Sequence, residues 1–394
     1  MALTIDPVKW RSRRGMKRLL NALGAKEGLT RYVGGAVRDD LLDLPVSDVD
    51  LATRIEPDDV IRRLEAARIK AVPTGIDHGT VTAISDGHAY EVTTLRRDVS
   101  TDGRRATVAF TTGWEEDAAR RDFTINALSA DPLTGEVFDY FGGLDDLVAR
   151  HVRFIGDPLK RIAEDHLRIL RYFRFHARFG AGTPDRAALD ACTERANDLM
   201  ALSRERIADE MLKLLKLPDP SITVGIMLDR GILKPVLPEI EQDSLPRIEA
   251  LIAAEREAAI SPKSLRRLAS LLPRDAAVAE AVAARLKLSN KRRKRLACAA
   301  VDDVHAPPRA LAYRLGSDCA ADRLLLAGKP DDASQVAKWH APRLPISGGA
   351  LIARGLPEGP IVARTLRIIE SRWVDAGFPE GEEFDAIVDD VMAA

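Results

Sequence analysis

Cysteine is scarce in this chain, whose 394 residues include three cysteines. Cys192, Cys298 and Cys319 lie far apart in the sequence and form no Cys-x-x-Cys pair. This spacing argues against a disulfide framework and against a structural zinc site. We therefore predict a reducing environment and a cytoplasmic location.

The chain also lacks a long apolar run. No stretch reaches the length that a membrane-spanning helix needs, and the N-terminus lacks the apolar core and the small-residue cleavage site of a secretory signal. We expect a soluble, intracellular protein without a membrane partner. A hydrophobic fraction of 46% over 394 residues predicts two or more packed units.

A third absence is net charge. The formal charge at pH 7 is −1, so the chain as a whole has no electrostatic attraction for nucleic acid. Any contact with RNA must therefore come from local basic patches.

What the chain does have is a glycine pair between two periodic segments. Residues 30–33 are β-prone, and residues 37–42 have a helical pattern. Between them, Gly34 and Gly35 let the backbone approach a ligand where a Cβ atom would collide. A glycine turn that begins a helix directs free N–H groups at an anion, and Arg38 adds a fork of donors. The segment predicts a binding site for a triphosphate.

Two carboxylates follow this turn. Residues 46–52 alternate as a strand does, so Asp48 and Asp50 are predicted to project from one face of a sheet. Mg²⁺ prefers a few carboxylates together with phosphate oxygens, and two such ions can stabilise the attacking and the leaving oxygen of an in-line displacement. That chemistry suits a 3′-hydroxyl group attacking an α-phosphate. Asp-x-Asp pairs also occur in surface turns and in metal-dependent sugar transferases, so the pair alone leaves these alternatives open.

Together these segments resemble a known family. Gly34-Gly35-Ala36-Val37-Arg38-Asp39 with Asp48-Val49-Asp50 is similar to the opening motif of the class II tRNA nucleotidyltransferases, or CCA-adding enzymes, and of the related bacterial poly(A) polymerases, within the polymerase β superfamily. The resemblance implies an α+β fold, with a polymerase β-like head built on a mixed sheet and then an all-helical neck, body and tail. We expect an N-terminal helix packed on the head over residues 1–29, the head over 30–150, the neck over 151–215, and a tRNA-binding body and tail over 216–394.

Two further segments extend the resemblance within the head. Tyr90 to Arg96 is similar to a strand that the family places beside the two aspartates, which makes Glu91 a candidate third catalytic carboxylate; a solvated glutamate is the ordinary alternative. Residues 96–106 are rich in Arg and Asp, which predicts a mobile loop. The family uses a flexible loop there in the switch from adding C to adding A, and an exposed connector explains the composition equally well.

Arg120 to Ala127 resembles the second motif of the family. By position, Arg121 would bind the triphosphate, and Asp122 and Asn126 would hold the ribose or the local backbone. Without the resemblance, these residues are typical of a capped, salt-bridged turn. Asp139 to Leu147 is similar to the third motif, and we predict that it links head and neck without chemistry of its own.

A helix is predicted from residue 157 onward, and Glu164 to Arg168 within it resembles the nucleotide-selecting motif of the family. An ionised Asp165 accepts hydrogen bonds and Arg168 donates them, which matches the amino group and ring nitrogen that adenine and cytosine present side by side. Guanine and uracil present the reverse order. We therefore predict that ATP and CTP are accepted and that GTP and UTP are rejected.

Arg171 and Arg174 lie further along the same predicted helix. Steps of three residues advance by about 60°, so Asp165, Arg168 and these two arginines are predicted to form one slowly winding ridge. Arg171 and Arg174 would then reinforce the triphosphate site. Surface ion pairs along a helix are the alternative for all four residues.

Beyond residue 180 the pattern is helical to the end of the chain. Residues 289–300 are amphipathic and basic, and they contain the cluster Lys291, Arg292, Arg293, Lys294 and Arg295. Such a cluster fits sequence-independent contact with RNA phosphates. A solvated helix face is the ordinary alternative.

These observations favour one interpretation: template-independent, Mg²⁺-dependent addition of C, C and A from CTP and ATP to the 3′ end of tRNA, with release of pyrophosphate. The run from Gly75 to Val81 favours the CCA-adding group. A poly(A) polymerase and a partial enzyme that adds only CC or only A share the motifs and stay open, as does a non-catalytic RNA-binding protein. The sequence does not give the oligomeric state.

Overall fold

The computed structural model describes residues 4–5, 10–102 and 105–394, and over residues 98–102 and 105–108 it describes the backbone only. The chain divides into two compact units. The first unit comprises Met1–Ser203 with Arg230–Pro235, and the second comprises Arg204–Asp229 with Val236–Ala394. The four segments predicted from the sequence stay a prediction.

A mixed sheet forms the centre of the first unit. Its strands in the described residues are β1 (Thr30–Val33), β2 (Asp50–Thr53), β3 (Lys70–Gly75), β4 (Thr80–Ser85), β5 (His88–Thr94), β8 (Ser129–Ala130) and β9 (Val137–Phe138), and β6 (Arg96–Asp102) and β7 (Arg105–Phe110) form a separate pair. The strand order in the sheet is β3-β4-β5-β2-β1-β8-β9. β2 and β5 are parallel, whereas the other neighbours are antiparallel. The mixed sheet confirms the predicted fold class.

Alternation explains why these segments form strands. Along β4 every second residue is buried, so Val81 and Ala83 enter the core while their neighbours are partly exposed. In β1, Tyr32 is fully buried between the sheet and the N-terminal segment, where its ring meets the edge of Trp10. The register of the sheet places the end of β1, the start of β2 and the middle of β5 side by side, and this region carries Asp50 and Glu91.

Helices surround the sheet and complete the first unit. Those of the described residues are α1 (Met16–Ala22), α2 (Gly35–Leu41), α3 (Pro57–Ala66), α4 (Trp114–Ala119), α5 (Gly143–Val148), α6 (Pro158–Glu164), α7 (Arg168–Phe179) and α8 (Arg186–Glu194), with 3-10 turns at Trp10–Ser12, Ile76–His78, Thr124–Asn126 and Ala196–Ala201. The predicted N-terminal helix corresponds to α1, which packs on β4; residues 1–3 and 6–9 of that prediction lie outside the described residues.

The predicted loop at residues 96–106 is wrong where the structure describes it. Residues of β6 pair with β7 in antiparallel register, from Arg96 opposite Phe110 to Asp102 opposite Arg105. An antiparallel ribbon can be solvated, so a polar composition does not distinguish it from a loop. Residues 103 and 104 lie outside the described residues.

The long helix predicted from residue 157 is interrupted. Asp157 caps α6 as predicted, accepting hydrogen bonds from the backbone N–H groups of Leu159 and Lys160. Asp165 then leaves the helical conformation, with φ −153° and ψ 106°, and its carboxylate accepts a hydrogen bond from the N–H of Leu167 at 3.1 Å. A side chain that bonds its own backbone in this way competes with the helix. The predicted ridge therefore includes Arg168, Arg171 and Arg174 on α7, but not Asp165.

The second unit is helical throughout its described residues. Its helices are α9 (Arg204–Leu215), α10 (Ser221–Asp229), α11 (Ser244–Glu257), α12 (Ser264–Leu271), α13 (Ala276–Arg285), α14 (Asn290–Ala299), α15 (Pro308–Leu315), α16 (Ser317–Leu326), α17 (Pro330–Ala337), α18 (Gly348–Ala353), α19 (Pro360–Asp375) and α20 (Glu382–Ala393). One apolar cluster gathers Leu251, Leu311 and Leu324, and a second one surrounds Trp373. Across the described part of the chain, no helix has both the length and the apolar character to cross a membrane.

The second unit also corrects the expectation about cysteine. Cys298 on α14 and Cys319 on α16 form a disulfide, with their Cα atoms 6.3 Å apart. The two helices pack against each other, so a separation of 21 residues in the sequence does not keep the thiols apart. Cys192 is free and buried, and burial raises the pKa of its thiol.

Candidate active site

The glycine turn has the conformation that the sequence predicts for a close approach. Gly34 joins β1 to α2 with φ 66° and ψ −124°, a region that is essentially restricted to glycine. A Cβ atom on Gly34 would lie 2.9 Å from Nη1 of Arg121, so the missing side chain leaves space for that guanidinium. At Gly35 a Cβ atom would meet Arg38 at 3.6 Å, which is an ordinary contact. Gly34 is therefore the residue of the pair that the geometry requires.

The predicted carboxylates meet at the start of β2. Asp50 is the first residue of this strand, opposite Val33 of β1 on one side and Glu91 of β5 on the other. Asp48 lies before the strand, in an irregular segment, so the prediction that both aspartates belong to one strand face is wrong. The segment still brings Asp48 close enough to interact with Asp50.

Crowding of negative charge alters the acidity of this group. Burial, the neighbouring Glu91 and Asp48 raise the pKa of Asp50 to about 6, and Arg121 opposes them. Glu91 and Asp48 are exposed, whereas Asp50 is half-buried. The repulsion among the three carboxylates is the kind that a bound cation relieves.

The donor set fits Mg²⁺ that arrives with a phosphate substrate. Among the described residues, no group of three or more His, Cys, Asp or Glu side chains is arranged to hold a metal ion by itself. Mg²⁺ in transferase sites is bound by one or two carboxylates together with substrate phosphates and water, so Asp48 and Asp50 meet that requirement. A direct role for Glu91 stays a prediction.

An N-terminal arginine holds the segment that carries Asp48. Arg13 donates hydrogen bonds to the carbonyl oxygens of Val46 at 2.7 Å and Ser47 at 3.1 Å. The Ser47 hydroxyl donates in turn to the Asp48 carboxylate at 2.9 Å. The sequence does not indicate this role of Arg13, because its partners lie more than thirty residues away along the chain.

Arg121 occupies the space between the glycine turn and the carboxylates. Its guanidinium donates to the carbonyl of Asn126 at 3.3 Å and pairs with Asp117 at 3.4 Å, and 24% of the side chain is exposed. It also interacts electrostatically with Asp50. A partly exposed guanidinium beside a glycine turn is available to a triphosphate.

Asp122 and Asn126 lie deeper, in a buried polar network. The Asp122 carboxylate accepts hydrogen bonds from the amide of Asn126 at 2.9 Å, from the N–H of Phe123 at 2.9 Å and from Arg171 at 2.7 Å. Burial alone would raise the pKa of Asp122, but Arg171 and these donors hold it below its usual range. Their predicted ribose contact stays a prediction.

Arg38 is also inside the fold. It is 5% exposed, donates to Asp39 at 2.8 and 2.6 Å, and donates to the side-chain oxygen of Asn126. Its guanidinium lies over the ring of Phe179, 4.1 Å from the centroid. Burial lowers the pKa of Arg38 from its ordinary value, although Asp39 opposes this. The structure thus gives Arg38 protein partners, and its predicted contact with triphosphate stays a prediction.

The predicted base-selecting residues flank the start of α7. The N–H of Arg168 donates to the carbonyl of Asp165 at 3.0 Å. The Arg168 guanidinium donates to the carbonyls of Arg161 at 2.9 Å and Arg120 at 3.2 Å, and it pairs with Glu164. These contacts fix the orientation of Arg168 through two other segments, α6 and the residue after α4. Selection of the base by this pair stays a prediction.

Two arginines continue along α7. Arg171 reaches Asp122, and both Arg171 and Arg174 lie over the ring of Phe175, at 5.4 and 4.6 Å from its centroid. Phe175 itself is buried. The arginines of the ridge are therefore held by protein partners, and their predicted reinforcement of the triphosphate site is untested.

The basic cluster of α14, in the second unit, divides into two sets. Lys291, Arg292 and Lys294 are exposed. Arg293 pairs with Glu280 at 3.5 Å, and Arg295 binds the buried Asp322 at 2.8 Å. The exposed set is available to phosphates, whereas Arg295 is committed to the interior.

Two family models match the chain. The model described as the Poly A polymerase head domain matches residues 30–153. The model described as the probable RNA and SrmB-binding site of polymerase A matches residues 183–244. The first match covers the glycine turn, the carboxylates and Arg121.

Curated relatives match most of the chain. The mitochondrial CCA tRNA nucleotidyltransferase 1 of Mus musculus is 34% identical over 92% of this chain and 87% of its own length. The CCA-adding enzyme of Streptococcus gordonii is 33% identical over 89% of this chain and 90% of its own length.

Solved structures share the fold. The Bacillus stearothermophilus CCA-adding enzyme in complex with CTP superposes with a TM-score of 0.71 and 27% identity, covering 95% of this chain and 97% of that one. The Thermotoga maritima CCA-adding enzyme complexed with tRNA has a TM-score of 0.70 over 100% of this chain and 99% of that one. At 21% identity, the second likeness shows the fold alone.

Proposed function

This chain belongs to the CCA-adding tRNA nucleotidyltransferase family, and from that premise we propose that it adds C, C and A from CTP and ATP to the 3′ end of tRNA and releases pyrophosphate. The proposal depends on one observation, which is that three features of the site lie close together. The glycine turn at Gly34, the partly exposed Arg121 and the carboxylates of Asp48 and Asp50 lie together at the ends of β1 and β2. Nucleotidyl transfer requires a group that binds the triphosphate and, beside it, carboxylates that can bind Mg²⁺.

The reaction is an in-line displacement. The 3′-hydroxyl of tRNA releases its proton to solvent as its oxygen forms a bond to the α-phosphorus, the bond from the α-phosphorus to the bridging oxygen breaks, and pyrophosphate leaves. The missing side chain of Gly34 leaves space for the Arg121 guanidinium, and Arg121 binds the oxygens of the triphosphate. Asp48 and Asp50 would hold Mg²⁺ together with the substrate phosphates, and the bound ion would neutralise charge on the transferred phosphate.

The remaining residues position the nucleotide. Asp122 and Asn126 orient the ribose side of the site through the network described above. Asp165 and Arg168 accept and donate, respectively, toward the base edge that adenine and cytosine share. We also propose a cytoplasmic location, where tRNA and nucleoside triphosphates are both available.

The deciding experiment is single-nucleotide-resolution extension of three RNAs by the purified protein with Mg²⁺. They are tRNA without its terminal CCA, tRNA ending in CC, and an unstructured oligonucleotide, each with single and mixed nucleotides. We expect growth that stops at CCA on the tRNAs only. Long adenosine tails on the oligonucleotide would make the enzyme a poly(A) polymerase, and arrest after CC or addition of A alone would make it a partial enzyme.

Two variants supply the control for the site. Asp48→Ala and Asp50→Ala are expected to abolish extension while the circular dichroism spectrum stays that of the wild type. Retained activity in either variant would remove the assigned metal site. No extension by the wild type, with tRNA still bound, would leave a non-catalytic RNA-binding protein.

A further inference from the structure

A continuous set of polar contacts joins the glycine-turn helix α2 to helix α7. It runs through the side chains of Asp39, Arg38, Asn126, Asp122 and Arg171. Arg178, further along α7, pairs with the free oxygen of the Asp39 carboxylate at 3.2 Å. The contacts therefore leave α7 at Arg171 and return to it at Arg178, which closes a ring through the backbone of the helix.

The two attachment points lie on one face of α7. Arg171 and Arg178 are seven residues apart, which is about two turns of an α-helix, so their side chains point in nearly the same direction. A helix held at a single point can still pivot about it. Two attachments on one face fix both its distance from α2 and its inclination.

The interior of the ring is dry and packed. Arg38, Asp122 and Asn126 are each less than a tenth exposed, and the Arg38 guanidinium lies over Phe179 at 4.1 Å and Phe175 at 5.3 Å. Both rings come from α7. Buried polar groups in such a position have no water to replace a lost partner, so the arrangement tolerates little displacement.

We propose that Arg178 and Asp39 form a positioning pair that sets the base-selecting end of α7 relative to the glycine turn. This inference rests on the proposed function, because α7 begins at Arg168 and α2 begins at the turn that would bind triphosphate. A base is accepted when its edge and its phosphates fit at the same time. The pair therefore determines how strictly the enzyme discriminates between bases, without contact to the nucleotide.

Arg178 is the member of the ring that can be changed with least damage. Its side chain is 41% exposed and Asp39 keeps Arg38 as a partner when Arg178 is removed. Three variants of this residue test the pair. Arg178→Lys keeps the positive charge, Arg178→Ala removes it, and Arg178→Glu introduces a charge that repels Asp39. Arg186→Ala is the matched control, because Arg186 forms an exposed pair with Asp190 at 3.7 Å elsewhere in the same unit.

The test compares correct and incorrect nucleotides on two tRNA substrates. Single-turnover rates are measured with ATP and with GTP on tRNA ending in CC, and with CTP and with UTP on tRNA lacking CCA. The rate with the correct nucleotide divided by the rate with the incorrect one is the discrimination ratio of each variant. We expect the ratio to fall about tenfold in Arg178→Ala, further in Arg178→Glu, and little in Arg178→Lys or Arg186→Ala. The apparent affinity for tRNA and the melting temperature should stay at the wild-type values, which separates positioning from a general loss of structure.

Two outcomes would overturn the positioning pair. In the first, the discrimination ratios of Arg178→Ala and Arg178→Glu equal that of Arg186→Ala. In the second, Arg178→Ala and Arg178→Lys both lose rate equally with every nucleotide and have a lowered melting temperature. If the wild type adds no nucleotide, the proposed function fails by itself. In that case the positioning pair is tested by the equilibrium affinities of the wild type and Arg178→Glu for ATP and GTP. A smaller ratio of ATP affinity to GTP affinity in Arg178→Glu than in the wild type supports the pair, and an equal ratio overturns it.

Discussion

At the scale of single residues, ionisation of Asp50 lowers the stability of the folded protein. Its pKa is raised to about 6 by burial, Glu91 and Asp48. A carboxyl whose folded pKa lies above the unfolded value binds protons more tightly when folded, so stability falls as the pH rises from about 4 to above 6. Function at such a site is obtained at the expense of stability.

Replacing Asp50 by Asn should therefore stabilise the protein in a pH-dependent way. Without added metal, we expect a melting temperature above that of the wild type at pH 7.5 and equal to it at pH 4, because the wild-type side chain is ionised only at the higher pH. Thermal melts in EDTA at both values measure this. A difference that is the same at both pH values would show that the charge of Asp50 is not the cause.

Gly34 makes a second prediction at this scale. In Gly34→Ala, the Cβ atom meets Nη1 of Arg121 at 2.9 Å and the backbone keeps φ near 66°, so strain of about 1–3 kcal/mol and displacement of Arg121 are expected. We expect kcat/KM for nucleotides to fall by about tenfold or more. Gly35→Ala, whose Cβ atom has an ordinary contact at 3.6 Å, should lose less. Equal losses in the two variants would contradict the geometric distinction.

At the scale of elements, the sequence predicted regular strands better than their interruptions. The strand predicted at residues 30–33 has those bounds in β1, and the helix predicted from residue 157 begins as α6 at Pro158, behind its cap Asp157. Such elements follow from local alternation and capping, which the sequence displays. The ribbon β6–β7 and the break at Asp165 do not, because ladder bonds between strands and a side chain bonded to its own backbone leave little trace in composition.

The candidate site shows the same division. Gly34, Asp50 and Arg121 could be identified from motifs, since chemistry restricts the residue types that serve there. Arg13 and Arg178 could not, because each acts through a partner that is distant in the sequence. A surface arginine has the same appearance in a sequence whether it meets solvent or a carboxylate.

Helix α14 gives a prediction at the scale of elements. We expect the triple change Lys291→Ala, Arg292→Ala and Lys294→Ala to weaken tRNA binding and to reduce the slope of log Kd against log salt concentration by about 2, since each lost phosphate contact removes roughly 0.7–0.9. Filter binding at several salt concentrations measures the slope. Arg293→Ala, whose side chain pairs with Glu280, should change it little. An unchanged slope in the triple variant would show that these three side chains contact solvent and not RNA.

At the scale of the whole molecule, the second unit depends on a buried ionic network as well as on apolar packing. Glu255 binds both Arg266 and Arg267, and Asp322 binds Arg266 and Arg295. All but Arg295 are at most 2% exposed. Arg267 also donates to the carbonyls of Leu215, Leu217 and Pro218, and Arg266 to that of Ser261. The network thus connects α9, α11, α12, α14 and α16.

Its energetic role is asymmetric. Formation of a buried ion pair gives little net stability, because desolvation offsets the attraction, but removal of one partner leaves an uncompensated charge. Three arginines here share two carboxylates, so each carboxylate binds two guanidinium groups. Loss of either one should be severe, although the sequence shows only an ordinary basic amphipathic segment.

Glu255→Ala is therefore expected to lower the free energy of unfolding of the second unit by about 3–5 kcal/mol, because Arg266 and Arg267 would remain buried without their shared carboxylate. Urea unfolding followed by circular dichroism measures the change, and Glu255→Gln, which keeps an acceptor oxygen for one of the two arginines, should lose less. Asp318→Ala is the control: Asp318 pairs with Arg295 at 3.0 Å but is 79% exposed, and exposed pairs contribute about 0–1 kcal/mol. Equal losses for Glu255→Ala and Asp318→Ala would mean that the interior tolerates these charges, and that apolar packing alone holds the helices together.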